Sequence, residues 1–218
     1  MRENHPRRRQ IRRVSRQLER RKASRSSLPA ILVVCEGKET EPNYVLGLCD
    51  EHGVNRANVT VLPGGEDTNP AALVRKALRR FALDRDFDSV FVVCDCAGED
   101  LTDAHRLASQ PLESTEGKAV PLSLIVSRPS FEFWLLLHFE YLSRPLSAAQ
   151  ALDLLRRHVT DYDKGDRQIF RKVQNGLDRA LLHTARLKSE LERVGEQSPD
   201  TDMPRLVEAM MALRRRAA

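Results

Sequence analysis

The sequence predicts an α/β fold: a mainly parallel sheet flanked by helices, with a small α-helical part at the C-terminus. Three observations predict the architecture. Ile31–Cys35 (ILVVC) and Val90–Cys94 (VFVVC) are short, apolar and rich in β-branched residues, and each runs straight into an acid, Glu36 and Asp95. Unbroken apolar runs of that length are the pattern of strands buried on both faces. Segments with helical spacing separate the strand-like runs, as right-handed crossovers require. Beyond Pro145 only helical patterns remain. The chain therefore divides into a basic arm (1–27), an α/β domain (28–145) and a helical subdomain (146–218).

The elements follow in order. After the first strand, a helix is expected from about Thr40 to His52, with Thr40 as its cap and Pro42 in its first turn. Tyr44, Val45 and Leu48 form its apolar stripe, and Gly53 stops it. Asn58–Leu62 is the second strand, broken by Pro63-Gly64-Gly65. Asn69-Pro70 opens a helix to about Leu83, with Val74, Ala77, Leu78 and Phe81 on one face. The third strand is Val90–Cys94, a short helix spans about Leu101–Ser109, and the fourth strand is Val120–Val126. Ser130 is the expected cap of a buried helix over Phe131–Glu140, where Glu132 suits the first turn. Helices are then expected over Ala148–His158, Gln168–Gly195 with a break near Gly176, and Pro204–Arg216.

Composition excludes several classes. Of 218 residues, 41% are hydrophobic and 31% charged, which suits one compact domain with an appendage. No stretch approaches the roughly 20 apolar residues of a membrane span, and the arginine-rich start lacks the apolar core of a secretory signal. Cys35, Cys49, Cys94 and Cys96 have no disulfide-like spacing, so a reducing cytoplasm is expected. Cys35, Cys94 and Cys96 offer thiolates for zinc, but a fourth ligand at the usual spacing is missing; small buried hydrophobes is the plainer reading. Residues 1–25 carry eleven Lys and Arg against two Glu, so the body of the chain is net acidic. Such an arm is expected to contact nucleic-acid phosphates or a partner protein.

The chemistry is expected at the ends of the strands, because ligands of open α/β sheets bind beyond the carboxyl ends. With the first and third strands as neighbours, Glu36 and Asp95 stand side by side. Two adjacent carboxylates call for a divalent cation, Mg²⁺ or Mn²⁺, with Glu99 as a further candidate ligand. Gly37 permits close backbone approach and Lys38 brings positive charge to the same edge. The run E-G-K-E-T-E lacks P-loop spacing, which excludes that kind of nucleotide site. Arg128 and Lys164, the latter in Tyr162-Asp163-Lys164-Gly165, are candidates for contacting phosphate. Each has a plainer use: Glu36 and Asp95 as helix caps, Arg128 paired with a surface acid, Lys164 solvated, and His138 simply packed in its helix.

Five blocks in this order (ILVVCEGKETEPNY, Val90–Asp95, RPSFEFWLLLHFE, YDKG and PDTDMPRLV) resemble the RloB-like family, over about Arg25 to Leu213. That family looks like a relative of the Toprim fold, whose members bind Mg²⁺ for phosphodiester chemistry through a glutamate and an Asp-x-Asp pair. The resemblance implies that Glu36 is that glutamate, Asp95 the first aspartate, Glu132 the acid of an N-P-x-F-E-x-W-like block and Lys164 the lysine of a Y-x-K block. It also implies a role in bacterial phage defence beside restriction systems. Two positions depart from the pattern: Asp95-Cys96-Ala97 lacks the second aspartate, and Arg128 stands where the Asn-Pro block has asparagine.

The first expectation is a Mg²⁺-dependent nuclease acting on DNA or RNA. Glu36 and Asp95 hold the metal, Glu132 is a third ligand or a base, and Lys38, Arg128 and Lys164 bind phosphate. The alternative is a catalytically weak module that binds nucleic acid or another defence-system protein. A third reading is an enzyme of free or signalling nucleotides.

Overall fold

The computed structural model describes residues 29–196 and 198–214. The arm over 1–27 lies outside them. Four parallel strands form most of one sheet: β1 (Ile31–Cys35), β2 (Val59–Leu62), β3 (Ser89–Asp95) and β6 (Leu122–Arg128). The order is β2-β1-β3-β6-β7, and β7 (Asp200–Thr201) joins antiparallel at the β6 edge. A separate hairpin pairs β4 (Leu112–Glu113) with β5 (Ala119–Val120). Among the described residues no helix is long and apolar enough to cross a membrane.

The two-residue alternation of the strands gives each sheet face its own core. Leu32, Val34, Val90, Val92, Cys94, Leu124 and Val126 face α2 (Pro70–Asp84) and α3 (Thr102–Ala108). Ile31, Val33, Cys35, Phe91, Val93 and Ile125 point the other way. That face is covered by α1 (Thr40–Glu51), α4 (Phe131–Leu137), α5 (Ala148–His158), α6 (Ile169–Val173), α7 (Leu177–Val194) and α8 (Met203–Met211). The C-terminal helices therefore share one continuous core with the sheet, and β7 extends the sheet itself. Cys35 and Cys94 lie on opposite faces, so they cannot converge on one zinc ion.

Tyr44 is the centre of the helical face. Its ring meets Phe131, Trp134, His138 and Phe170 edge-on, with centroids 5.5, 6.3, 5.9 and 5.0 Å away. Edge-to-face pairs of this kind add to the area term. Gly47 lets α6 close on α1, since a Cβ there would sit 2.7 Å from the Phe170 Cβ. His138 is fully buried, and its tautomer follows from its partners. Nδ1 lies 3.0 Å from the Trp134 carbonyl and must donate, so Nε2 accepts from the Tyr44 hydroxyl at 3.2 Å.

Several local expectations are corrected. Thr40 does not cap α1: it is the first helical residue, and its hydroxyl donates to the Lys164 carbonyl instead (2.9 Å). Ser130 makes no side-chain cap, and its buried oxygen has no partner among the described residues. The fourth strand begins at Leu122 because Ala119–Val120 pairs with Leu112–Glu113 in the hairpin, and α4 ends at Leu137 rather than running to Glu140. Gly176 does interrupt the long helix, where a Cβ would meet the His138 carbonyl oxygen at 2.1 Å.

His138 makes stability sensitive to acid. Burial lowers its folded pKa to about 4, so the unfolded chain binds the extra proton as pH falls below the ordinary histidine value. Stability is then lost progressively down to about pH 4, by a total on the order of 3 kcal/mol. Chemical denaturation across this range should show that loss as the difference between the wild-type and His138→Gln profiles, with wild type losing ground to the variant as pH falls.

Candidate active site

The site begins with the ladder between β1 and β3. The Glu36 N–H donates to the Val93 carbonyl (2.9 Å), carrying the pairing one residue past β1. Glu36 then turns its carboxylate across to the neighbouring strand, where Oε2 accepts the Asp95 N–H at 2.8 Å. The Asp95 carboxylate in turn accepts the N–H of Phe131, the first residue of α4. A backbone donor thus orients each acid.

Two more carboxylates complete the cluster. Glu41, in the first turn of α1 and buried, folds back so that Oε1 accepts the Gly37 N–H at 3.0 Å. Gly37 is required for this, because a Cβ there would lie 1.9 Å from Glu41 Oε2. Glu132, in the first turn of α4, is 6% exposed. Its Oε1 accepts from the Tyr162 hydroxyl (3.1 Å), and Lys164 Nζ stands 3.6 Å away. Glu36, Glu41, Asp95, Glu132, Lys38 and Lys164 line one cleft of about 320 Å³.

The loop carrying Lys164 comes from the helical part and is tied down at several points. Thr40 Oγ1 holds the Lys164 carbonyl, and Asn43 Nδ2 donates to the Gly165 carbonyl at 3.3 Å. Lys172 Nζ bridges the loop's two ends, at 2.6 Å from Asp161 and 2.7 Å from Asp166.

The cluster has an excess of negative charge. Burial, then the nearby Glu41, Glu36 and Glu132 carboxylates, push the Asp95 carboxyl up to about 9. Burial also raises Glu36 and Glu41, with Glu99 adding to the effect on Glu36 and Glu132 to that on Glu41. Among the described residues no three His, Cys, Asp or Glu side chains are grouped to hold a metal ion. The oxygens of Glu36 and Asp95 still fit Mg²⁺ or Mn²⁺, because such ions take one or two carboxylates and fill their shell with water and substrate phosphate.

The model of RloB-like proteins matches residues 31–210. The chain belongs to the RloB-like family. The matched span includes every strand of the sheet and all four clustered carboxylates. No curated protein matches the chain, and no solved structure does.

In this RloB-like chain, five of the residues read from sequence share the cleft: Glu36, Lys38, Asp95, Glu132 and Lys164. Glu99 and Arg128 line a larger neighbouring cleft instead. The Glu99 carboxylate is turned into its own loop, where it accepts the Ala97 N–H at 2.6 Å. Cys96, where the resemblance expects no charge but the next position expects an acid, buries its thiol toward the Glu99 carbonyl (3.5 Å). Glu41 and Tyr162 were not singled out by sequence reasoning. The available signal for Glu41 was the glycine four residues before it; for Tyr162 it was the loop shared with Lys164.

Two outcomes follow. A Cβ on Gly64 would lie 1.7 Å from the Glu36 backbone oxygen, and the Gly64 N–H already donates to the Gly37 carbonyl at 2.9 Å. Gly64→Ala should therefore displace the Glu36 turn and cost about 2–4 kcal/mol, read by denaturant unfolding. In metal-free protein the folded state keeps a proton on Asp95 that the unfolded chain releases above about pH 4. Above about pH 6.5, where the opposite contribution of His138 has ended, stability should then fall as pH rises toward about 8, and Asp95→Asn should reduce that slope in thermal melts.

Proposed function

We propose that the carboxylate cleft is the active site of a Mg²⁺-dependent nuclease that hydrolyses phosphodiesters of DNA or RNA in bacterial anti-phage defence. The observation that carries this reading is the convergence of Glu36, Asp95, Glu41 and Glu132 with Lys164 at the carboxyl ends of two adjacent parallel strands. An all-oxygen donor set of this kind suits a hard divalent cation. Bound there by Glu36 and Asp95, Mg²⁺ or Mn²⁺ supplies Lewis acidity toward a phosphoryl oxygen and acidity to bound water.

The chain's own groups divide the remaining work. Lys164 and Lys38 meet the non-bridging oxygens of the scissile phosphate, where charge builds in the transition state. Glu132, held by the Tyr162 hydroxyl, takes the proton of the attacking water. The water oxygen bonds to phosphorus, the bond to the leaving sugar oxygen breaks, and solvent protonates that oxygen. The basic arm over 1–27 adds sequence-independent phosphate contacts or engages another defence-system protein, in the cytoplasm.

A second reading is favoured by one specific observation. No acid stands two residues after Asp95, and Ala97 at that place presents only its N–H to Glu99. A metal site short of one ligand would leave a module that binds nucleic acid or a partner and turns over weakly.

Plasmid DNA, single-stranded DNA and total tRNA, each with Mg²⁺, Mn²⁺ or EDTA, separate these readings. The nuclease reading expects metal-dependent cleavage that falls at least a hundredfold in Glu36→Ala and Asp95→Ala while both variants stay folded. Binding that weakens steeply with salt, without any cleavage, would instead establish the binding module.

A further inference from the structure

We infer that the larger cleft beside the carboxylates is a nucleotide subsite, in which Arg128 binds the phosphate of one nucleotide unit. The cleft has a volume of about 830 Å³ and is lined by Leu101, His105, Arg128, Pro129, Leu146 and Ser147, among others. That volume lies within the usual range for small-ligand pockets, and polar side chains, Glu99, Asp100 and Thr102 included, make up about half of the lining beside the apolar wall. The subsite rests on the nuclease reading only for where its nucleotide comes from.

Its position ties it to the carboxylates. Asp95 is paired with Ser127, and the Cys96 N–H donates to the Ser127 carbonyl at 2.9 Å. Arg128 is the next residue, so the cleft opens one step along the same sheet edge from Asp95. A strand of nucleic acid with its scissile phosphate over Glu36 and Asp95 would place an adjoining nucleotide there.

Among the described residues no hydrogen bond or close ion pair holds Arg128, half-buried at the end of β6, although its charge acts on Asp200 across the β6–β7 pair. Asp200, its strand partner on β7, lies 3.9 Å from Lys188 Nζ. Arg128 also borders a smaller cleft of about 470 Å³, where Lys188, Glu192, Glu196 and Asp200 make up most of the lining and leave little apolar wall for a base. In the larger cleft the two acids are already engaged: Glu99 by the Ala97 N–H and Asp100 by the Thr102 N–H at 2.8 Å. Their remaining oxygens can accept from sugar hydroxyls or base N–H groups. Leu101 and Leu146, both nearly buried, offer the apolar wall against which a base can lie. Guanidinium also matches phosphate with two parallel hydrogen bonds.

Calorimetric titration of the full chain with adenosine monophosphate, and with adenosine as the phosphate-free control, tests this. Wild type should bind the monophosphate, and Arg128→Gln should weaken it at least tenfold, the usual loss for hydrogen bonds to a charged group. Adenosine binding should not change in Arg128→Gln. Ala148→Trp, which fills the cleft while leaving Arg128 and the basic arm in place, should abolish binding of both. No binding of the monophosphate to wild type, or undiminished binding in a folded Arg128→Gln or Ala148→Trp, would overturn the subsite. A single-stranded oligonucleotide that displaces the monophosphate assigns the site to the substrate strand, and simultaneous binding assigns it to a free nucleotide. All readouts are binding, so they stand whether or not the carboxylate cleft cleaves.

Discussion

The parallel pairing of β1 with β3 is the constraint on which the rest depends. Parallel neighbours in register end at the same edge, so an acid after each strand must meet the other. Glu36 and Asp95 cannot separate without breaking the ladder at Cys35 and Val93. The chain accommodates this by giving each acid a backbone donor: Asp95 N–H for Glu36, Phe131 N–H for Asp95, Gly37 N–H for Glu41. Hydrogen bonds to carboxylates are stronger than neutral ones, yet they offset only part of the burial and repulsion, as the raised carboxyl of Asp95 records. Folding thus creates a site whose unmet requirement is positive charge.

The helical C-terminal part is joined to that site through both packing and polar contacts. Tyr44 packs α1 against α4 and α6, so the helix whose first turn carries Glu41 is set by the aromatic cluster around it. From α6, Lys172 reaches back to the ends of the loop that presents Lys164. The only cation within ion-pair distance of Glu132 among the described residues therefore comes from sequence more than thirty residues away. Displacing these helices would remove the lysine and leave four acids without it.

Much of the sheet and its acids was legible because their signal is local. ILVVCE and VFVVCD carry strand, burial and terminal acid in six residues each, and strands buried on both faces have few alternatives. What was not legible depended on partners distant in sequence. β7 is two residues long and exists because Thr201 and Asp200 find β6; no pattern of length two announces that. Thr40 and Ser130 had the right chemistry for caps, but Thr40 met a carbonyl from the Lys164 loop, and Ser130 lies buried without a cap bond. Glu41 reaches the site only because Gly37 leaves it room to fold inward, a contact that residue spacing alone does not announce.

The two departures from the family pattern lie next to each other in space. Cys96 and Ala97 follow Asp95 at the end of β3, and Arg128 ends β6 beside them. Relative to the expected pattern, this corner has lost a carboxylate at Ala97 and gained a guanidinium at Arg128, so its charge shifts by two units toward positive. A corner changed in that direction is worse at holding a second cation and better at holding an anion. The same pair of differences would weaken the proposed metal site and favour the proposed phosphate contact one step along the edge. Tighter binding of the substrate's adjoining phosphate can compensate for a poorer metal shell only if it orients the scissile phosphate over Glu36 and Asp95. Both clefts lie at one sheet edge, so the β3–β6 ladder holds the proposed subsite and the carboxylates at a fixed separation.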